Sequence, residues 1–338
     1  MREDLQDFYN FPQFATQYCH YKLATPTIQH WQLRDLVHCE NSEEVYITEG
    51  FGIYKVNLKK QVKTLVHQLE FKPTCFSIYE GVLAAGGQSG KLKVLRLEDG
   101  RSFFAGNVGN QVNNSVLLTK RRDEKLLFLV NNNCALHCFR LVEDCSLEMV
   151  GLCCFESPTC LNHVALSPDG RLLLTVGDSG ESFIYNVEGD FSILSSFRIS
   201  LEPVVSCSWS ADGHLFAVAS QDDHVYLFDS ATEKRIGKLS SRQSNGFRGA
   251  CRCVKFSPCG VLDLMAFTEH ANCVHLVDIR DLSRSQPEFI GETERDVDIA
   301  GLCFNPHGDK LFVGCSQGIY AYYIGTAQRR SFGKGDFT

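Results

Sequence analysis

A chain of 338 residues with 44% apolar content is long enough to bury a sizeable core, as two ordinary domains or as one large all-β ring. Its formal net charge of -7 and pI near 5.9 argue against sequence-independent nucleic-acid binding, which needs Lys and Arg to displace counterions from phosphates. Sixteen cysteines without a secretory leader argue against a disulfide framework, because such frameworks belong to short secreted chains.

The opening segment MREDLQDFYNF is acidic and lacks an apolar stretch of signal-peptide length, and no run anywhere is long enough to cross a bilayer. The expectation is therefore a reducing compartment, the cytoplasm and also the nucleus, with no membrane as partner. Cys207, Cys253, Cys273 and Cys303 fall inside predicted strands, where a thiol behaves as a small buried hydrophobe. The basic clusters Lys120-Arg121-Arg122 and Arg329-Arg330 are short and read as solvated loop or tail.

From about Leu33 to Leu69, the stretches LRDLVHC, EEVYITE, FGIYKVNL and QVKTLVHQL read as four strands. Thr74 to Gly106 repeats the plan with CFSIY, GVLAAGG, GKLKVLRL and RSFFAG. Asn113 to Phe155 repeats it again, with LLFLV and CALHCFRL as its inner strands.

The pattern is clearest in the four segments that follow: HVALSPDGRLLLTVGDSGESFIYNV, SCSWSADGHLFAVASQDDHVYLFDS, CVKFSPCGVLDLMAFTEHANCVHLVDI and GLCFNPHGDKLFVGCSQGIYAYYI. Each has an alternating strand, a tight turn, an apolar strand, a polar turn and a second alternating strand. The turn glycines Gly170, Gly213, Gly260 and Gly308 recur at intervals of 43, 47 and 48 residues, which suits four-stranded propeller blades. In Ser167-Pro168-Asp169-Gly170, proline presets φ at the first central turn position and glycine supplies positive φ. Leu172 to Val176 is then a continuous apolar run, as a strand covered on both faces by neighbouring blades requires.

A single blade cannot cover its own faces, so the units must stack. The reading is a single domain, an all-β seven-bladed β-propeller over residues 29–327, with 1–28 as an N-terminal segment and 328–338 as a tail. The last blade lacks a fourth strand unless Arg330 to Phe337 or the segment before Gln29 supplies it. Tyr18 to Leu23 is the expected closing strand.

The search for chemistry returns little. Cys134-x-x-His137-Cys138, Cys153-Cys154 and Cys251-x-Cys253 do not form the paired ligand sets of a metal site. Gly86-Gly87-Gln88-Ser89-Gly90 lacks the Lys-Ser or Lys-Thr of a phosphate loop and reads as the turn between second and third strands, equivalent to Gly177-Asp178-Ser179-Gly180. No GxSxG elbow appears. The expectation is no enzyme, no metal and no cofactor, although a propeller enzyme with a His-carboxylate cluster around its channel is the third alternative.

The repeats resemble those of WD-repeat (WD40) proteins, whose blades end the third strand on Trp-Asp or a variant. Tyr185-Asn186, Phe228-Asp229 and Val277-Asp278 stand at that place, and the Gly-His dipeptide that often opens such repeats is absent. One stretch departs from the repeat. Asp263-Leu264-Met265-Ala266-Phe267-Thr268-Glu269-His270 puts an acid inside an apolar strand and Glu-His where other blades place Gly or Ser. With the closing Val277-Asp278-Ile279-Arg280, it resembles an uncharacterised motif of fungal and related propellers, Asp-Leu-Leu-x-Phe-x-Glu-His followed by Val-Asp-x-Arg. A yeast member of that group is similar to a substrate receptor of the GID/CTLH ubiquitin ligase, which recognises protein N-termini.

That resemblance implies a non-catalytic protein-binding propeller, a substrate receptor or adaptor of a ubiquitin ligase, with ligase subunits and peptide segments as partners and no nucleic acid. A carboxylate at the channel mouth would pair with a free α-ammonium. The acids placed there are Glu269, Asp178, Asp222 and Asp298, with His270 beside them, and Asn113, Asn162, His163 and Arg252 complete the rim. The alternative is a structural scaffold subunit of another complex. The tail Ser331 to Thr338 is a candidate anchor for the ligase.

Overall fold

The computed structural model describes residues 14–154, 159–188, 191–244, 247–258, 263–290 and 296–325. Among these, no helix is long and apolar enough to cross a membrane. Among the described residues there are seven four-stranded antiparallel sheets, each laid down from innermost to outermost strand in sequence order except the last, and one two-stranded ribbon that pairs Gln243–Ser244 with Phe247–Arg248. The innermost strands are Val37–Cys39, Pro73–Tyr79, Asn113–Arg121, Leu161–Leu166, Val204–Trp209, Cys251–Phe256 and Ile299–Phe304, which open blades 1 to 7. The chain is a seven-bladed propeller, as its repeat period predicts.

Blade 7 takes its outer strand from the other end of the chain. Ala15–Tyr21 pairs antiparallel with Gly318–Ile324, with Tyr18 opposite Tyr322 and Tyr21 opposite Ile319. The strand begins before the expected Tyr18 and ends before Leu23, because the ring of Tyr18 packs 5.8 Å from those of both Tyr320 and Tyr322 and sets the register. The other candidate for this place, Arg330 to Phe337, lies outside the described residues, as does the tail assigned to anchoring.

The turn chemistry is visible atom by atom. Gly170, Gly213 and Gly308 have φ of 73°, 74° and 70°, and each donates its N–H to the carbonyl three residues back, on Ser167, Ser210 and Asn305. The Ser167 and Ser210 hydroxyls each donate to the turn aspartate at 2.6 Å and accept from the first residue of the next strand at 2.9 Å. Gly260 lies outside the described residues. Burial follows position: second strands such as Leu215–Ser220 are covered on both faces, whereas outer strands such as Ile193–Arg198 alternate exposed and half-buried.

LLFLV and CALHCFRL form the second and third strands of blade 3, the inner pair of its four, and its channel-side strand is Asn113–Arg121. Two strand assignments shift. Only Val37–Cys39 of LRDLVHC joins a sheet, because Arg34 and Asp35 are turned toward the channel. Asp263 lies just before the second strand of blade 6, Leu264–Glu269, and pairs with Arg280 at 3.4 Å.

Six of the inner strands carry the same irregularity. In blades 2 to 7, the register slips between the first and third residues, leaving one extra residue in each: Thr74, Asn114, Asn162, Val205, Arg252 and Ala300. A bulge re-aims its side chain out of the sheet alternation. In three consecutive blades, that side chain reaches the first inner-strand carbonyl of the next blade. Thr74 Oγ1 donates to Asn113 O at 2.6 Å, Asn114 Nδ2 to Leu161 O at 2.7 Å, and Asn162 Nδ2 to Val204 O at 3.0 Å. Val205 cannot continue the series, and Arg252 does not.

Candidate functional site

Antiparallel alternation gathers three kinds of segment at one end of the ring: the starts of inner strands, the turns between second and third strands, and the linkers that enter each blade. The nine residues assigned to the peptide-binding face lie toward this end, here called the top. They differ in depth.

Asp178, His270 and Asp298 are exposed. Asp178 Oδ1 accepts from Asn162 Nδ2 at 2.8 Å. Asp222 is half-buried and accepts from Tyr226 OH at 2.6 Å and Ser200 Oγ at 2.7 Å, so both bonds tie it to its own surroundings. Asn113 and Asn162, expected on the rim, are buried and hold backbone: Asn113 Nδ2 donates to Lys91 O at 2.8 Å, and Asn162 belongs to the relay between blades.

Glu269, expected as a free carboxylate, is 7% exposed. Its Oε1 lies 2.8 Å from His275 Nε2 and accepts from the Arg242 backbone N–H at 2.8 Å, which ties down the linker entering blade 6. His275 stacks on Phe267 with ring centroids 4.3 Å apart. Glu269, Cys273 and His275 bring three ligand-type atoms within 4.8 Å of one another, but Oε1 already serves two donors, and the arrangement reads as a hydrogen-bonded brace.

What closes the channel is a segment outside the repeats. Between the closing strand Ala15–Tyr21 and blade 1, the chain crosses the top and dips inward. Thr27 fixes its near side by backbone and side-chain bonds to Thr48 and Gly50, and Leu36 N donates to Ala300 O at 3.1 Å. Gln32, Leu33 and Arg34 are buried in consequence. At the bottom of the dip, Asp35 Oδ2 lies 3.0 Å from His163 Nε2 on blade 4 and 3.1 Å from Lys255 Nζ on blade 6. His163 is thus a channel residue, below the rim where it was expected.

Cys207 donates its backbone N–H to His163 Nδ1 at 3.3 Å, so the imidazole proton sits on Nε2 and is donated to Asp35. Burial raises the Asp35 carboxyl, but Lys255 and the His163 hydrogen bond outweigh it and hold the group well below the usual carboxylate range. Burial lowers the His163 imidazole, with Asp35 opposing and Lys255 adding. Below this plug, a cavity of about 460 Å³ runs past His38, Ser77, Ser115 and Ser208.

Above the plug stand Arg34 and Arg252, each 8% exposed. The Arg252 guanidinium lies 5.7 Å from the ring centroid of Trp31, which is itself 65% exposed. Burial and the neighbouring charge of Arg252 push the Arg34 guanidinium down to about 10, with Asp298 pulling the other way. The one sequence signal for the plug was the pair Arg34-Asp35 inside an otherwise apolar run.

Comparison with known proteins agrees with this architecture. The model of the WD domain, G-beta repeat, matches residues 192–229, and that of an uncharacterised protein domain (DUF2415) matches residues 249–286. The chain is thus a seven-bladed propeller, one of whose repeats matches the WD repeat. It is similar to an uncharacterised Schizosaccharomyces pombe protein, 28% identical over 329 residues that cover 90% of each chain. It is also similar to the protein HIR2 of Candida albicans, 26% identical over 44% of this chain and 16% of that one. A chain in the crystal structure of the mitotic checkpoint complex shares the fold, with a TM-score of 0.73 and 13% identity over 93% of both chains.

Proposed function

We propose that this propeller is a non-catalytic receptor or adaptor that takes peptide segments on its top face and presents them to a ubiquitin ligase in the cytoplasm or nucleus. The observation that carries this reading is the plugged top face itself. There the plug closes the channel, and the exposed Trp31, Asp178, His270 and Asp298 share the face with Arg34 and Arg252, which keep buried nitrogens without a partner: Nε of Arg34, and Nε and Nη1 of Arg252. WD-type propellers are generally interaction modules, and that supports a binding role without chemistry. The match of residues 249–286 to an uncharacterised domain coincides with the stretch that resembles the motif of the ligase-associated propellers.

A second reading is a scaffold subunit of another multiprotein complex. The outer strands favour it by exposing Leu65, Met149, Leu152, Leu194 and Ile236 around the rim. Affinity purification with quantitative mass spectrometry separates the two. The intact chain is compared with Trp31→Ala and with a chain ending at Gly325. Ligase subunits should persist with Trp31→Ala while client proteins fall away. Recovery of no ligase subunit in any sample overturns the ligase reading.

A further inference from the structure

Arg252 occupies the bulge position that blades 2 to 4 use to bond the next blade, yet among the described residues its side chain makes no hydrogen bond. Its Nε and Nη1 atoms are buried and unpartnered, and so is Nε of Arg34. Arg34 Nη1 alone is engaged, donating to the carbonyls of His30 and Leu33 at 2.5 and 3.0 Å within its own segment. Neither guanidinium forms an ion pair among the described residues, although other arginines on the same protein do, such as Arg280 with Asp278 at 2.7 Å. Two like charges at about nine-tenths burial, with donors left over, are costly unless a counter-charge arrives.

The surroundings show what would fit. His30, in the same crossing segment, is lowered by burial and by Arg34, and also by Arg252, against the pull of Asp178. Both cations are therefore felt at one place. Asp298 and Asp178 are near enough to act at a distance but not to bond. Trp31 covers Arg252 with one ring face and leaves most of its surface to solvent. A planar fork beside an exposed indole suits a two-oxygen acceptor with an apolar neighbour.

We infer that Trp31, Arg34 and Arg252 form an oxyanion site at the channel mouth, which receives a carboxylate or phosphoryl group carried on a side chain of the bound peptide. The inference rests on the top face being a peptide-binding surface and adds what that surface reads. The group enters beside Trp31, accepts hydrogen bonds from the buried guanidinium nitrogens and neutralises the paired charge.

The test uses the full chain and pools of short degenerate peptides with acetylated N-termini and a fixed central phosphoserine, Asp, Ser or Lys. A fifth pool has free N-termini and no acids. Binding is read by fluorescence anisotropy and by the emission of Trp31 in Trp209→Phe, since the chain has two tryptophans and Trp209 is buried. The phosphoserine pool, the Asp pool or both should bind about ten-fold more tightly than the Ser pool. Which of them does so assigns phosphoryl or carboxylate as the group. Inorganic phosphate should compete with the favoured pool.

Arg252→Gln and Arg34→Gln should each remove that preference, and Arg252→Lys should retain part of it. Equal binding of the phosphoserine, Asp, Ser and Lys pools by the intact chain overturns the oxyanion site while leaving peptide binding in place. Binding of no pool, including the one with free N-termini, overturns the peptide-binding reading as well. The intact-chain comparison decides the matter even if an arginine variant fails to fold.

Discussion

Asp35 Oδ2 lies 3.1 Å from Lys255 Nζ, joining the segment that precedes blade 1 to the inner strand of blade 6 across the channel. The side chains are 21% and 24% exposed, so each charge depends on the other for most of its solvation. Asp35→Ala should therefore destabilise the ring by about 3 kcal/mol, since it strands a buried ammonium. The double variant Asp35→Leu, Lys255→Met should recover more than half of that loss. Urea unfolding of the three proteins checks both statements.

Acid should weaken the fold before Asp35 titrates. His163 and His38 flank Asp35 and Lys255 in the channel, and burial lowers both from their ordinary value of 6.5. The unfolded chain takes up protons below that value and the folded chain resists, so stability falls as pH drops through the window beneath 6.5. Asp35 titrates well below 3.8, and its contribution stays in place across that window. Melting temperature followed from neutral pH to about pH 5 should decline, and His163→Gln should flatten the decline. An unchanged slope in that variant assigns the effect to other histidines.

Glu269→Ala should act on structure before it acts on ligands. The change removes the acceptor for His275, in a buried setting, and for the Arg242 N–H, in a partly buried one, at a cost of about 2 kcal/mol. Hydrogen exchange should rise in residues 241–244, while Asp178→Ala, which takes one acceptor from Asn162 at an exposed site, should cost no more than about 1 kcal/mol. Loss of a client with Glu269→Ala and retention with Asp178→Ala would then report the loosened linker.

The relay of bulge residues makes a graded prediction. Asn114→Ala leaves the Leu161 carbonyl without its partner from blade 3 and should cost about 2 kcal/mol by thermal or urea unfolding. Asn162→Ala should cost a similar amount at the Val204 carbonyl. Ala300→Gly, where no such bond exists, should cost distinctly less.

What the sequence made legible was the part of the fold that repeats. Ser167 to Gly170 and Ser210 to Gly213 show their turns because each residue type has one mechanical role there, and the turns set the blade count. The end at which Asp178, Asp298 and Arg252 gather was legible for the same reason, through the place of each in its blade. Depth was not. Glu269 reads as a surface acid after an apolar strand, and only the linker folded over it, with Arg242 as donor, makes it internal. Asp35 meets Lys255 across 220 residues of chain, and no local pattern encodes a contact of that separation. Asp263 was misplaced because an acid adjoining Leu264 looks like part of the strand until Arg280 is seen beside it.

Closing the ring with Ala15–Tyr21 has a consequence in time. The strand leaves the ribosome about 300 residues before its partner Gly318–Ile324, an interval of ~15–60 s at ordinary rates of synthesis. For most of that interval Lys255 is also still to be made, so the channel plug lacks its far wall. Every product that stops short of Gly318 carries an unpaired first strand, and every one that stops short of Lys255 carries an Asp35 without its cation. Closure of the ring therefore waits for the last blade to emerge, and the open edge of that blade is covered only then.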